Sequence, residues 1–244
     1  MRTRARPLLA ELHAHTTWSD GALTLPAVVD LYGRRGFDVL CVTDHVVRRD
    51  DPWLDGTCQE RGVRAEVWEA YRAEIAAEAA RALDRYGLLL LPGLELTWND
   101  LDPTRAAHAL AVGLHEFVAV DDGIDGAIET AAQAGAAVIA AHPFDDEPSR
   151  HPARRTQRFA RDRDGLGRLV HRFELFNRTQ LFAWVARHGL PAVASGDFHV
   201  RDHLHGWKTL LPCTRSEEAV VEYLRSPRPA YLARLDDERP ALAA

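Results

Sequence analysis

Histidine and aspartate side chains follow the first apolar runs of this chain, where predicted strands end. His13 and His15 lie two positions apart after the first run, so on a strand both imidazoles point to the same side. Asp44 and His45 follow the continuous apolar run at residues 37–42, which is typical of a buried parallel strand. Two imidazoles on one side of a strand can bind a metal ion, although a buried histidine that bonds a neighbour gives the same pattern.

Four later apolar runs place further potential ligands in the same way. The residues that follow or open these runs are Glu95, His108, His142, Asp197 and His199. Because the carboxyl ends of parallel strands meet at one rim, we expect these side chains to lie close together. The repetition predicts a metal site assembled from several strand ends, and therefore an enzyme.

Strand patterns alternate with helical patterns along the chain, which predicts βα units around a parallel sheet. The predicted helices span residues 24–35, 64–86, 124–133, 181–188 and 216–225. Thr24 as the cap, Pro26 in the first turn and Gly36 past the end set the bounds of the first helix. About seven strands, no internal repeat and no long linker predict one domain over residues 1–244.

Together these motifs resemble the PHP (polymerase and histidinol phosphatase) family of metal-dependent phosphoesterases. The motifs are HxHTxxSDG at 13–21, TDH at 43–45, GxE at 93–95, a lone histidine at 108, AHP at 141–143 and SGDxH at 195–199. The last motif departs from the more usual Ser-Asp-Ala-His but keeps both ligands. The resemblance, from residue 9 to about 212, implies a small standalone member with an α/β fold: a distorted (β/α)7 barrel with the metal site at the C-terminal ends of the strands.

The resemblance also implies three divalent metal ions and nine ligands. The first ion would be held by His13, His15, Glu95 and Asp197, the second by Asp20, His45 and His199, and the third by Glu95 again with His108 and His142. Mixed imidazole and carboxylate ligands suit Zn²⁺, Mn²⁺ or Fe²⁺. We expect Asp44 to orient a metal-bound imidazole. For Asp20, a turn residue before Gly21 is the alternative interpretation.

Such a cluster suggests hydrolysis at phosphorus. Divalent ions lower the pKa of a shared water and neutralise the attacking and departing oxygens. We therefore expect hydrolysis of a phosphate mono- or diester of a small molecule, such as a nucleotide or sugar phosphate, by a metal-bridging hydroxide. Arg178, expected at a helix start, is the first candidate for a phosphate contact, and its replacement by Ala should cause a large loss of activity while leaving metal content intact. Further candidates are Arg48, Arg49 and Lys208 for phosphate, for which surface ion pairs are the alternative, and His203 and His205 as proton donors.

Three other functions remain alternatives. A nuclease acting on nucleic-acid ends is disfavoured by the short single-domain chain and its net charge of −6. A metal-binding module without turnover is disfavoured by the complete ligand set. An amidohydrolase also opens with HxH on a barrel strand, but Glu95 as a bridge and the terminal DxH fit that family poorly.

Two polar segments are expected at the mouth of the site. Residues 46–62 form a predicted insertion loop, and residues 145–170 form an arginine-rich loop or lid. We interpret the second as a solvated face or lid, not a nucleic-acid track, because Asp162 and Asp164 interrupt its positive charge.

Cysteine usage and hydropathy predict a cytoplasmic protein. Cys41, Cys58 and Cys213 form no close pair, so core packing is favoured over a disulfide or a zinc site. No apolar run approaches the roughly 20 residues of a membrane helix, and the N-terminus lacks a secretory apolar region. We expect no membrane partner.

Overall fold

A computed structural model describes residues 6–52, 62–145 and 156–236, which contain six α-helices and twelve short strands. The helices are α1 (Leu25–Arg34), α2 (Trp68–Tyr86), α3 (Ile124–Gln133), α4 (Arg158–Arg161), α5 (Ala183–Arg187) and α6 (Glu217–Arg225). The strands are β1 (Leu8–Glu11), β2 (Val39–Cys41), β3 (His45–Val47), β4 (Leu89–Leu91), β5 (Gly93–Trp98), β6 (Ala107–Val112), β7 (Ala137–Ala141), β8 (Arg172–Asn177), β9 (Gln180–Leu181), β10 (Ala192–Ser195), β11 (Gly206–Leu211) and β12 (Tyr231–Leu235).

The strands form two mixed sheets. One has the order β12-β11-β1-β2-β4, and the other has the order β10-β8-β7-β6-β5-β3, with β9 paired to β8. Most pairs of adjacent strands that carry predicted site residues are parallel, but β6 runs antiparallel to both β5 and β7. The short connection between β5 and β6 contains no crossover helix, which is what antiparallel neighbours allow.

The two sheets meet beside the ends of β1 and β10. A single bridge joins Ala14 to Phe198, where His15 N donates to Phe198 O and Phe198 N donates to His13 O. Among the described strands the ladders make two sheets and no closed cylinder. The α/β class is therefore confirmed, whereas the (β/α)7 barrel and the single-domain assignment stay predictions.

The predicted helices agree with the structure in their centres and differ at their ends. The third helix has the predicted bounds, and Ser216 caps α6 by accepting a hydrogen bond from Ala219 N at 3.3 Å. The prediction placed the start of α2 at residue 64, but residues 65–67 form a turn and the helix begins at Trp68. The helix predicted at 181–188 is shorter, because Leu181 pairs with Phe176 in the β8–β9 hairpin.

A buried apolar layer between helices and sheets fixes the strands that carry the site. Tyr32 of α1 and Tyr71 of α2 are fully buried in it. A Cβ at Gly33 would lie 2.4 Å from the ring of Tyr86, so glycine is needed for α1 and α2 to approach closely. Arg81 joins the same helices by donating to Asp30 at 2.6 Å.

Some predictions fall wholly or partly outside the described residues. These include most of the loop at 46–62, the first part of the arginine-rich segment at 145–170, and Cys58. The described part of the arginine-rich segment contains α4, where Phe159 is buried and Arg158 pairs with Asp125 at 2.7 Å. Cys41 is buried in an apolar strand, as expected, and is not in a disulfide. None of the helices in the described ranges has the length and apolar character needed to cross a membrane.

Candidate metal centre

Glu95, near the middle of β5, lies at the centre of the converging side chains. It is fully buried and faces His45 directly, because β3 and β5 pair in parallel with these two residues in register. Its carboxylate oxygens lie 3.0–3.3 Å from ring nitrogens of five histidines, which are His13, His15, His45, His108 and His142. The strand ends identified in the sequence therefore meet around one carboxylate.

Two aspartates complete the cluster on its other side. Asp197 Oδ1 lies 3.5 Å from Nε2 of His13 and of His15, and 3.3 Å from Nδ1 of His199. Asp20 is about half exposed, and its Oδ1 lies 3.2 Å from His199 Nε2 and 3.6 Å from His45 Nε2. The carboxylate of Asp20 faces two imidazoles. A residue that served only to form the turn before Gly21 would not need these contacts.

Three groups of ligand atoms are close enough to hold ions, each with its atoms within 4.8 Å of one another. The groups are His15, Asp20, His45 and His199; His13, His15 and Asp197; and His13, Glu95 and His142. They overlap with the implied division but differ from it: His15 joins the group of Asp20, His13 replaces His108 beside Glu95 and His142, and Glu95 is absent from the group of Asp197. His108 is in none of the three groups. His108 Nε2 instead lies 2.9 Å from Asn99 Oδ1.

The residues fit divalent cations on two grounds. Imidazole and carboxylate donors are the types that Zn²⁺, Mn²⁺ and Fe²⁺ bind. Nε2 of His15 is buried and makes no hydrogen bond in the described part of the chain, although Glu95 Oε2 lies 3.3 Å away. A buried polar atom without a bond is costly, and a metal ion would remove that cost.

The charges of the cluster shift its titration strongly. Burial lowers the pKa of His45, but the nearby Glu95 and Asp20 carboxylates outweigh it and raise the pKa to about 9. Burial raises the pKa of Glu95, yet His45 and His13 hold it well below its usual range. For His108 burial dominates and lowers the pKa to about 4. In the metal-free site near pH 7, an ionised Glu95 therefore faces a protonated His45, whereas His108 is neutral.

Backbone strain is concentrated at this site. Three non-glycine residues of the described chain have a positive φ, namely His142 at 28°, Arg178 at 54° and Asp197 at 43°. Such conformations cost about 1–3 kcal/mol each and persist where the surroundings enforce them, which is common at functional sites. Two of the three are predicted ligands, and the third is the predicted phosphate contact.

Asp44 acts on the imidazoles less directly than predicted. Its carboxylate accepts hydrogen bonds from Thr16 N at 2.8 Å, Thr16 Oγ1 at 2.9 Å and Ser19 Oγ at 2.6 Å. Ser19 Oγ in turn lies 3.4 Å from His15 Nδ1. Asp44 therefore fixes the loop after His15 and reaches that ring through Ser19.

Sequence reasoning missed Glu174 as a site residue. This buried glutamate of β8 accepts from His13 Nδ1 at 2.9 Å, His142 N at 2.6 Å and Asn177 Nδ2 at 3.0 Å, and also from Ser195 Oγ. The available signal was an acidic residue between Phe173 and Leu175 in an apolar strand, because an ionised group there needs buried partners.

The predicted phosphate contact of Lys208 does not fit its position. Both Lys208 and Glu11 are fully buried, and Lys208 Nζ lies 2.7 Å from Glu11 Oε2. Glu11 also accepts from Gly196 N at 2.7 Å and Tyr32 Oη at 3.1 Å. The pair links the end of β1 to the turn that carries Asp197, and it does not present a cation to solvent.

The three arginine candidates lie in different environments. Arg178 is in the tight turn between β8 and β9, not at the predicted helix start, and its Nη2 lies 2.9 Å from Asp197 Oδ2. Arg48 stacks on Trp98, with its guanidinium carbon 4.1 Å from the ring centroid. Arg49 is exposed, and its backbone N donates to Asp121 Oδ1 at 2.8 Å. Arg178 is therefore the candidate that the structure brings into contact with a predicted ligand.

The two proton-donor candidates follow the last ligand. His203 Nδ1 lies 3.1 Å from His199 N, which can donate to it, and 3.2 Å from Asp197 O, which can accept from it. The ring centroids of His199 and His203 are 6.0 Å apart. His205 lies half-buried just before β11.

Comparison with known proteins shows likeness at the level of fold. No protein-family model matches the chain, and no curated protein matches it. A two-domain protein from Bacteroides vulgatus that contains a predicted PHP-like metal-dependent phosphoesterase is 20% identical, with a TM-score of 0.62, over 96% of this chain and 69% of the other. An amidohydrolase from Chromobacterium violaceum, solved with bound sulfate and no metal, is 19% identical, with a TM-score of 0.54, over 93% of this chain and 98% of the other.

Proposed function

We propose that this protein is a metal-dependent phosphoesterase of the PHP family that hydrolyses a phosphate mono- or diester of a small molecule. The observation that carries the proposal is the convergence of five imidazoles on the buried carboxylate of Glu95. The motif resemblance and the fold shared with a PHP-like protein both support it. We also propose that the two sheets together form one distorted (β/α)7 barrel, with the bridge between Ala14 and Phe198 as the place where they join.

We assign nine residues as ligands of three divalent ions. They are His13, His15, Asp20, His45, Glu95, His108, His142, Asp197 and His199. Glu95 is placed to serve more than one ion, because each of its two oxygens lies near different imidazoles. His108 would have to exchange its contact with Glu95 or with Asn99 for a metal bond. Bound divalent cations supply activation of water near neutral pH and neutralisation of phosphoryl oxygens.

Arg178 and His203 would act on the substrate directly. Arg178 is 37% exposed beside Asp197, so its guanidinium can reach a phosphoryl oxygen while one nitrogen holds the turn. As imidazolium, His203 would donate its Nδ1–H to Asp197 O at 3.2 Å and would give its Nε2 proton to the departing oxygen. These two residues then bind the ester and complete bond cleavage on the protein side.

Phosphate release tests the proposal. Metal-stripped protein should be inactive, and adding Mn²⁺ or Zn²⁺ should restore hydrolysis of some members of a panel of small phosphate monoesters and diesters. Labelled single-stranded DNA serves as the competing substrate, because the net charge of −6 disfavours a polyanion. Preferential degradation of the DNA would establish a nuclease instead, and no turnover with any metal would leave a metal-binding module.

A second candidate function is hydrolysis of an amide or lactone. The fold likeness to the Chromobacterium violaceum amidohydrolase favours considering it. The same metal-reconstituted protein should be assayed with amide and lactone panels. Turnover there without phosphate ester turnover would replace the phosphoesterase proposal.

A further inference from the structure

Glu174 connects three chain segments that carry proposed metal ligands. Its Oε1 accepts from His13 Nδ1 at 2.9 Å and from Ser195 Oγ, two residues before Asp197. Its Oε2 accepts from the backbone N of His142 at 2.6 Å and from Asn177 Nδ2 at 3.0 Å. The carboxylate is fully buried, so water does not compete for these four bonds.

Three partners of Glu174 are donors, namely His142 N, Asn177 Nδ2 and Ser195 Oγ. An ionised carboxylate offers only acceptors, so it satisfies all of them at once. His13 Nδ1 faces the same carboxylate and must therefore donate to it as well, which leaves the neutral His13 ring a free lone pair on Nε2. Nε2 lies 3.2 Å from Glu95 Oε2 and 3.5 Å from Asp197 Oδ1, inside the candidate metal centre.

Oε2 of the same carboxylate also holds a strained turn. His142 has a φ of 28°, and its backbone N–H points at this oxygen. Asn177, which bonds the same oxygen, precedes Arg178, whose φ is 54°. The Glu174 side chain thus bonds His142 itself, the residue before Arg178 and a residue two positions before Asp197, so it lies at or beside all three strained residues.

We infer that Glu174 is a positioning residue that keeps His13 in the Nδ1-protonated form and so directs Nε2 of His13 toward a metal ion. The inference rests on the proposed function for the presence of the ion. It assigns Glu174 no contact with substrate. Glu11, another buried glutamate near His13, differs because it bonds the backbone and pairs with Lys208.

The isosteric variant Glu174→Gln separates this role from simple packing. The backbone N–H of His142 can only donate, so the amide oxygen must face it and the amide NH₂ must face His13 Nδ1. His13 would then accept at Nδ1 and carry its proton on Nε2, where it blocks a metal. Partners that orient ligands in this way typically contribute 10–100-fold to metal affinity.

The control is Thr209→Val. Thr209 is also fully buried, and its hydroxyl bonds Ala194 N at 2.9 Å and Ala194 O at 2.7 Å, without touching a proposed ligand. Titration of metal-free protein with Zn²⁺ in a calorimeter should show binding weakened about 10–100-fold in Glu174→Gln. Thr209→Val should lower the melting temperature and keep the wild-type affinity.

A second measurement identifies the His13 tautomer in the wild-type protein and uses a variant only to assign the signal. Long-range ¹⁵N–¹H spectra of Zn²⁺-loaded wild-type protein, with His13 assigned by loss of its signal in His13→Asn, should show a protonated Nδ1. A protonated Nε2, or unchanged Zn²⁺ affinity in folded Glu174→Gln, would overturn the inference. Zn²⁺ binding without ester hydrolysis would remove the proposed function and leave the inference standing, whereas a wild-type protein that binds no Zn²⁺ would end both.

Discussion

Nη2 of Arg178 lies 2.9 Å from Oδ2 of Asp197 and the same distance from the backbone O of Asp197. Nε of Arg178 donates to Gly196 O at 3.2 Å, so the guanidinium spans the turn that gives Asp197 its positive φ. A proposed substrate contact therefore also supports a proposed ligand.

Replacing Arg178 by Ala should weaken both activity and metal binding. Loss of the guanidinium removes three bonds from the Asp197 turn and a cation from the rim, so we expect at least a tenfold loss in kcat/KM with lower Zn²⁺ affinity. Arg178→Lys keeps the positive charge but lacks the several N–H donors of the planar guanidinium, so it should recover Zn²⁺ affinity only in part. Kinetics and calorimetry on both variants measure this. Lost activity at wild-type metal content would favour the phosphate role alone, and unchanged kinetics would remove both roles.

The buried pair of Lys208 and Glu11 should dominate local stability. Lys208→Met leaves the Glu11 carboxylate buried without its cation, which we expect to cost about 3–5 kcal/mol in the free energy of unfolding. The double variant Glu11→Gln with Lys208→Met removes both charges and should regain most of that loss. Urea unfolding of the three proteins provides the measurement, and a single variant as stable as wild type would contradict the buried ion pair.

Glycine at position 21 should be required for the loop that carries Asp20. A Cβ there would lie 2.5 Å from the backbone C and O of His15, and neither atom can move independently. Gly21→Ala should therefore destabilise the protein by about 1–3 kcal/mol and reduce metal binding. Gly126→Ala in α3 is the matched control, because a Cβ there meets no atom within 4 Å and Ala favours the helix. Equal stability of the two variants would refute the predicted close contact.

Metal-free protein should lose stability as the pH rises above neutral. The pKa of His45 is raised to about 9, so the protonated ring contributes stability that is complete below about 6.5 and lost as pH rises through about 9. The shift corresponds to a loss on the order of 3 kcal/mol. Melting temperatures between pH 6 and 10 should fall for the metal-free protein and fall less for His45→Gln, in which His13 and His199 still titrate, because burial lowers the pKa of each but nearby carboxylates outweigh it and raise that pKa as well. A flat profile for wild type would show that His45 is not protonated in this environment.

Most of the predicted ligands could be found from the sequence because they follow or open an apolar run, whereas Asp20 and the division among three ions came from the family resemblance. A strand end must present its donor at a fixed position, so pairs such as His13 and His15, or Asp197 and His199, are recognisable without knowledge of their partners. The helices were recognisable for the same reason, since caps and apolar spacing are local. In the structure, histidines from these separate segments lie around the carboxylate of Glu95.

The supporting residues could not be found in that way. His13 and Glu174 are 161 positions apart, and neither neighbouring sequence indicates the other. Lys208 resembled a solvent-facing cation until the fold placed it against Glu11. Arg178 was expected at a helix start, but the chain turns back there into β9. Such contacts depend on how strands pair, which local patterns do not determine.

Anomalous diffraction tests the central claim most directly. Crystals of protein reconstituted with Zn²⁺ should show zinc peaks beside Glu95, between His13 and His142 on one side and near His15, Asp20 and His199 on the other. Elemental analysis of the same sample should give more than one zinc per chain. Crystals and solutions without bound zinc, or zinc confined to surface residues outside this cluster, would contradict the account.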